Sequence, residues 1–282
     1  MMGSFRLLLS LLVSALWMSF AASAEDPRVS IASGTSEGTY RGVYARDLEA
    51  QLSDYTVIHR LTSGSGENLE MLADGRANFA FAQADVFAAR LAEDPDRFAQ
   101  VESLGRLGTE CVFVAVRQGG PIDTLDDLAS AIDGRPPEVA VGPAQSGANS
   151  TWHYLVSLSP ELGSAQAHPV GDRVALRFLE RGTFDAVVWV TDPSNLEHGM
   201  LRAVRESADL VLLPVADDTL TATLPDGTHV YEPGQLQLGR GDSSIPTICT
   251  SAVLLGHSGG APALLDRARR MKGLRRASPK AP

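Results

Sequence analysis

The sequence is poor in metal-binding and basic residues, and both shortages exclude classes of function. It contains two cysteines and six histidines in 282 residues, without the paired spacing of a metal site. Lys and Arg total 24 against 34 Asp and Glu, a formal net charge of −10. Because phosphate binding needs clustered Lys and Arg, this balance argues against a nucleic-acid partner. We therefore predict no metal, no cofactor and no nucleic acid.

After its first 24 residues the chain also lacks any apolar run long enough to cross a membrane. Within those residues, Arg6 precedes the apolar run Leu7–Phe20, and Ala22-Ser23-Ala24 forms a small-residue cleavage site. An uncleaved anchor is the alternative, but the apolar run is short for a span. We predict a signal peptide over residues 1–24, cleaved after Ala24, and a soluble exported product.

The sequence also lacks a catalytic constellation. Gly256–Gly260 matches a nucleophile-elbow pattern around Ser258, but no histidine follows that serine, as the hydrolase order requires. Gly34–Gly38 has neither the spacing nor the lysine of a phosphate-binding loop. We predict that the chain is not an enzyme and has no catalytic residue.

Short β-branched runs alternate with helical patterns along most of the chain, which indicates an α/β fold with a mostly parallel sheet. Thr124 is predicted to cap a helix that runs to Ile132. The predicted strands are residues 29–32, 56–61, 78–82, 111–117, 139–141, 167–170, 186–190 and 247–255.

Polar, glycine-bearing turns follow several of these strands and begin helices, at residues 33–40, 62–68, 83–85 and 145–149. Such positions lie at the carboxyl ends of strands, where α/β sheets bind ligands. Helix N-termini there present free N–H groups and a positive dipole end, which suit anionic groups. The turns predict a shared cleft for a small organic anion, held without a buried lysine.

The order of motifs resembles the TAXI family, the solute receptors of tripartite ATP-independent periplasmic (TRAP) transporters. The resemblance covers about residues 28–272 and rests on Ala32-Ser33-Gly34-Thr35 with Gly38-Thr39-Tyr40, Thr62–Leu69, Phe79–Asp85, Leu125-Asp126-Asp127-Leu128, Val139–Gly142, Asp185–Val190 and Pro246-Thr247-Ile248. The first loop departs from the family at Glu37 and at Arg41-Gly42, which leaves the ligand open.

The resemblance implies a two-lobed type II periplasmic-binding-protein fold with two hinge-crossing strands. Lobe one would comprise residues 28–109 plus 242–282, lobe two residues 115–205, and residues 206–241 a strand-rich return segment. The implied function is that of a monomeric periplasmic receptor that passes a glutamate- or dicarboxylate-like anion to membrane permease subunits. A ligand-sensing module that presents to a membrane signalling protein is the alternative.

The candidate ligand-binding residues come from the strand-end turns of both lobes. Arg41 is the first candidate for a direct charge partner and Arg173 the second, and Trp189 is a candidate to cover an apolar part of the ligand. The complete set is Ser33, Gly34, Thr35, Thr39, Tyr40, Arg41, Ser63, Ser65, Asn68, Gln83, Ser146, Gly147, Asn149 and Trp189.

The implied fold also places Cys111 and Cys249 in the two strands that run side by side across the hinge. In an exported protein, cysteines in adjacent strands favour a disulfide. Two buried thiols are the alternative.

Overall fold

A computed structural model of the chain describes residues 27–216, 220–224, 227–237 and 244–275. The predicted signal segment, residues 1–24, lies outside the described residues, as do 242–243 and 276–282 of the predicted lobe one. Within the described ranges, no helix is long and apolar enough to cross a membrane.

Strands and helices alternate along most of the described chain. The strands are β1 (Arg28–Ala32), β2 (Thr56–Arg60), β3 (Phe79–Gln83), β4 (Val101–Arg117), β5 (Glu138–Ala140), β6 (Gln166–His168), β7 (Ala186–Thr191), β8 (Leu210–Leu212), β9 (Glu232–Leu236) and β10 (Ile245–His257). The α-helices are α1 (Ala45–Gln51), α2 (Ser65–Ala73), α3 (Ala84–Glu93), α4 (Pro95–Phe98), α5 (Gly147–Leu158), α6 (Asp172–Glu180), α7 (Gly199–Glu206) and α8 (Pro262–Ala268). A π-helix, Tyr40–Tyr44, leads into α1, and 3-10 turns occupy Leu125–Ala129 and Pro160–Ser164.

The sheet order is β2-β1-β3-β10-β4-β7-β5-β6, with β8 paired to β4 and β9 to β10. Strands β1, β2 and β3 pair in parallel at one end, and β5, β6 and β7 pair in parallel at the other. Between them, β4 and β10 pair antiparallel with each other. On the outer sides, β10 pairs antiparallel with β3, and β4 pairs antiparallel with β7. The structure is the predicted two-lobed α/β fold, in which β4 and β10 are the two hinge strands.

The apolar strands occur where the hydrophobic runs predict them. Most residues of β7 and β10 are buried, as expected for strands covered on both faces. Two predictions differ from the structure. Strand β4 begins at Val101 rather than residue 111, because pairing with β10 holds its glycine-containing, partly charged first half. The helix predicted from Thr124 to Ile132 is a short 3-10 turn, since Ser130 is already extended.

A disulfide between Cys111 and Cys249 lies where β4 passes from one lobe to the other. Up to Cys111, β4 pairs with β10, and from Cys111 to Val116 it pairs with β7 in the second lobe. The predicted disulfide is confirmed, and it joins the two hinge strands at residues that lie directly opposite each other.

One hydrophobic cluster extends through both lobes along a flank of the hinge. It contains Leu69 of α2 and Val86 of α3 from the first lobe, together with Trp152 and Leu155 of α5 from the second. The two lobes are therefore in direct apolar contact on this flank, and their facing polar turns meet beside it.

Removing the disulfide is expected to destabilise the fold strongly. The bond closes a loop with a sequence separation of 138, and chain-entropy arguments assign about 4–5 kcal/mol to a closure of that length. Replacing both cysteines with alanine should lower the free energy of unfolding in urea by about that amount. Ellman titration of the unfolded, unreduced protein should detect no free thiol, and two thiols per chain would contradict the bond.

Candidate functional site

A cleft of about 1040 Å³ lies between the lobes at the carboxyl ends of the parallel strands. The first lobe contributes the segment after β1, the turn before α2 and the end of β3. The second lobe contributes the first residues of α5 and both α6 and α7. The structure brings together nine of the predicted ligand-binding residues in its lining: Ser33, Gly34, Thr35, Thr39, Tyr40, Ser63, Ser65, Gln83 and Gly147.

Asn68 lies behind the cleft and organises its wall. Its side-chain amide donates to the carbonyl of Phe81 at 2.7 Å, and its oxygen accepts from the backbone N–H of Gly34 at 3.3 Å and from the hydroxyl of Thr62. Asn68 is fully buried. It therefore ties the ends of three strands together, and it does not line the cleft.

Ser146 and Asn149 have a comparable supporting position at the start of α5. Ser146 is the N-cap residue, and its hydroxyl accepts from the backbone N–H of Asn149 at 3.2 Å. This bond satisfies one of the free N–H groups of the first turn. Neither residue lines the cleft, whereas Gly147 and Ala148 beside them do.

The structure also places Trp189 and Arg41 outside the lining. Trp189 is only 2% exposed and stacks on Phe113, with ring centroids 5.3 Å apart in the core of the second lobe. Val190 and Thr191, which follow it on β7, reach the cleft instead. Arg41 lies on the π-helix and is not among the lining residues. Arg173, the second candidate for the charge partner, does line the cleft.

Sequence reasoning missed several residues of the lining, chiefly those around α7. This helix follows β7 and contributes His198, Gly199, Met200 and Arg202 to the cleft. The helical spacing of its buried residues Met200, Leu201 and Val204 is a signal that could have found it. Other missed lining residues include Glu110, Asp172, Arg177, Glu180, Asn195 and Glu197.

Helix starts from both lobes face the cleft. The N-terminal residues of α2, α5 and α7 line it, and their free N–H groups are suited to an anionic group. The hydroxyl oxygen of Ser33, fully buried at the end of β1, has no hydrogen-bond partner among the described residues. A buried unsatisfied hydroxyl is costly, so a ligand oxygen at this position would gain a bond that the protein leaves open.

Glu110 and Tyr40 form a polar pair on the floor of the cleft. The Tyr40 hydroxyl donates to Oε2 of Glu110 at 3.0 Å. Burial, reinforced by the charges of Asp85 and Asp192, raises the pKa of Glu110 to about 8, although the bond from Tyr40 opposes the rise. Burial also raises the pKa of Tyr40 well above its ordinary value. At neutral pH the pair is therefore largely uncharged.

The second-lobe wall carries charges of both signs. Arg173, Arg177 and Arg202 line it, as do Asp172, Glu180 and Glu197. Burial raises the pKa of Asp172 and lowers that of His198, while each of the two groups opposes the other's shift. Burial therefore disfavours the charged form of both groups.

A buried carboxylate joins the lobes beside the cleft. Asp85, at the start of α3, accepts from the Thr151 hydroxyl of α5 at 2.6 Å and from the Tyr231 hydroxyl at 2.9 Å. Burial raises the pKa of Asp85, and these two bonds oppose the rise. The carboxylate thus connects three parts of the chain that are distant in sequence.

Among the described residues, no group of three or more His, Cys, Asp or Glu side chains could hold a metal ion. No protein-family model and no curated protein sequence matches the chain.

Solved structures with the same fold include a transporter's binding component and proteins solved with small ligands bound. The binding-protein component of an ABC phosphonate transporter from Pseudomonas aeruginosa is 13% identical, with a TM-score of 0.54 over 87% of this chain and 73% of that one. A protein from Xanthomonas citri solved with ATP bound is 15% identical, with a TM-score of 0.53 over 86% and 81%. The GluR0 ligand-binding core from Nostoc punctiforme, solved with (L)-glutamate, is 15% identical, with a TM-score of 0.52 over 86% and 91%. At these identities the similarity establishes the fold.

Replacing Gly64 with alanine should destabilise the protein, because the lobes approach each other at this residue. Gly64 has φ +139° and ψ −154°, a region that is essentially restricted to glycine. An added Cβ would lie 3.1 Å from the backbone nitrogen of Gly147 in the other lobe. We expect Gly64→Ala to lower the free energy of unfolding by about 1–3 kcal/mol. Gly42→Ala, where a Cβ would meet nothing within 4 Å, is the matched control and should cost nothing.

Replacing Glu110 with glutamine should stabilise the protein increasingly as the pH rises. Between the ordinary glutamate pKa of 4.5 and about 8, only the folded state keeps the carboxyl protonated, so the wild type loses stability with rising pH. Glutamine removes this loss. The stability of Glu110→Gln relative to wild type should grow by about 2–4 kcal/mol between pH 5 and pH 8 in urea denaturation. Glu102→Gln, on the same strand, is the control, and an equal trend there would contradict the assignment.

Proposed function

We propose that the chain is the extracytoplasmic solute-binding subunit of a TRAP-type transporter. In this role it captures a small organic anion, glutamate- or dicarboxylate-like, in the cleft between its lobes. The observation that carries the proposal is the cleft itself, where strand-end turns and helix N-termini of both lobes converge around the unpartnered Ser33 hydroxyl.

An anionic group fits this cleft for two reasons. The first turns of α2 and α5 and the Ser33 hydroxyl offer uncharged hydrogen-bond donors, which bind carboxylate oxygens well. Arg173 adds a cation on the facing wall. The raised pKa of Glu110 lowers the repulsion that an ionised floor would exert on an anion.

Delivery to a membrane permease is the second half of the proposal. The motif resemblance to TAXI receptors supports it, and a transporter's binding component shares the fold. The export signal predicted over residues 1–24 would place the receptor in the periplasm, on the side of the membrane where such receptors act. Uptake assays in membrane vesicles containing the permease subunits should require added receptor.

Ligand capture is tested by native mass spectrometry of the purified protein, followed by a thermal-shift screen of carboxylates and other small acids. A bound acidic metabolite, and a raised melting temperature with the same compound, are the expected results. Tight binding of a neutral or cationic solute alone would contradict the proposal.

Arg173 is expected to contact the anionic group of the compound found in that screen. Arg173→Ala should weaken binding by about 1.5 kcal/mol or more in calorimetry, the lower end for a charged hydrogen bond. Arg181→Ala, at the end of the same helix and outside the cleft, is the matched control. Arg41→Ala separates the two sequence-derived candidates, because a loss of affinity there and not in Arg173→Ala would reverse the assignment.

A further inference from the structure

We infer that Glu110 and Tyr40 form a subsite for a ligand ammonium group, so that the solute carries an amine as well as an anionic group. This inference rests on the proposed function and narrows it, since it separates amino acids from simple dicarboxylates. It concerns residues that the motif resemblance does not assign to amine binding.

The position of Glu110 supports this role. It precedes the disulfide residue Cys111 on β4, at the point where the hinge strand passes between the lobes. Its half-buried carboxyl lines the cleft, and Oε2 is oriented by the hydroxyl of Tyr40 at 3.0 Å. A carboxyl oriented in this way on rigid strand backbone offers an acceptor to a group in the cleft.

The surroundings of Glu110 carry an excess of acidic groups. The titratable groups that act on it or respond to its charge are Tyr40, Tyr44, Asp85 and Asp192. In the described part of the chain, no Lys, Arg or His forms an ion pair with Glu110. A ligand ammonium group here would therefore meet a carboxyl that no basic side chain of the described residues already occupies.

The arginines of the lining belong to the helices of the second lobe. Arg173 and Arg177 come from α6 and Arg202 from α7, together with the acids Asp172, Glu180 and Glu197. Glu110 on the floor of the cleft has no basic partner within the described ranges, whereas the arginines of the second-lobe wall lie among acidic side chains. A solute with one ammonium and one anionic group carries a partner for each of the two regions.

Proton release distinguishes this role from a purely structural one. With a pKa of about 8, Glu110 is protonated in roughly nine molecules out of ten at pH 7. An ammonium group favours the ionised carboxylate, so binding must expel that proton to the solvent. We expect about 0.9 protons released per ligand at pH 7 and roughly a quarter of a proton at pH 8.5.

The experiment uses pairs of probes that differ by one amino group: glutamate with glutarate, and aspartate with succinate. Calorimetry on the full-length mature protein in phosphate and in Tris reports affinity and proton release together. We expect the amino member to bind about 10-fold more tightly or better, with release of a proton. Glu110→Gln should abolish both the preference and the release, and Glu102→Gln, on the same strand outside the cleft, should preserve them.

Three results would overturn the inference. Equal or tighter binding of the member without the amine, or binding of the amino member without proton release, would overturn it and leave the proposed function standing. Binding of neither member of either pair would overturn both. The proton count on the wild type decides the question without a variant if Glu110→Gln fails to fold.

Discussion

The antiparallel pairing of β4 with β10 is the constraint on which the rest of the structure depends. Each lobe has its own parallel strands, and in the part of the chain that the structure describes these two long strands join the lobes in one sheet. The disulfide between Cys111 and Cys249 joins them where β4 changes lobes. Because backbone pairing and a covalent bond coincide there, the floor of the cleft is a rigid surface. Glu110, one residue before the disulfide, takes its position from that pairing and not from a loop.

The flank beside the cleft is held by a combination of apolar and polar contacts. Trp152 and Leu155 of α5 pack in the same cluster as Leu69 and Val86 of the first lobe. Within this apolar surrounding, Asp85 receives hydroxyl donors from the second lobe and from the return segment. A buried carboxylate needs such hydrogen-bond donors. The network therefore favours the arrangement of the two lobes that brings these donors to Asp85. The cleft therefore has one side that is closed by the core and one that faces solvent.

The distribution of ionisation across the cleft follows from the same architecture. Strand ends and helix starts provide uncharged donors, and the low polarity near the hinge suppresses the charge of Glu110. The exposed helices α6 and α7 keep their arginines in contact with water. Uncharged donors that are held in place by the fold need little reorganisation to bind a ligand.

The amino-acid sequence by itself determined the fold class and much of one wall. Hydrophobic runs predicted the strand positions, and the turns after β1, β2 and β3 predicted the polar lining from Ser33 to Gln83, because local patterning decides where strands end and helices begin. The tertiary structure alone decided which polar residues face the cleft. Asn68 and Trp189 match the expected residue types but point into the interior, and the direction of a side chain depends on packing partners far away in the chain. The pairing of Tyr40 with Glu110, 70 residues apart, likewise arises only when the hinge strands assemble, because local sequence patterns do not encode which distant side chains meet.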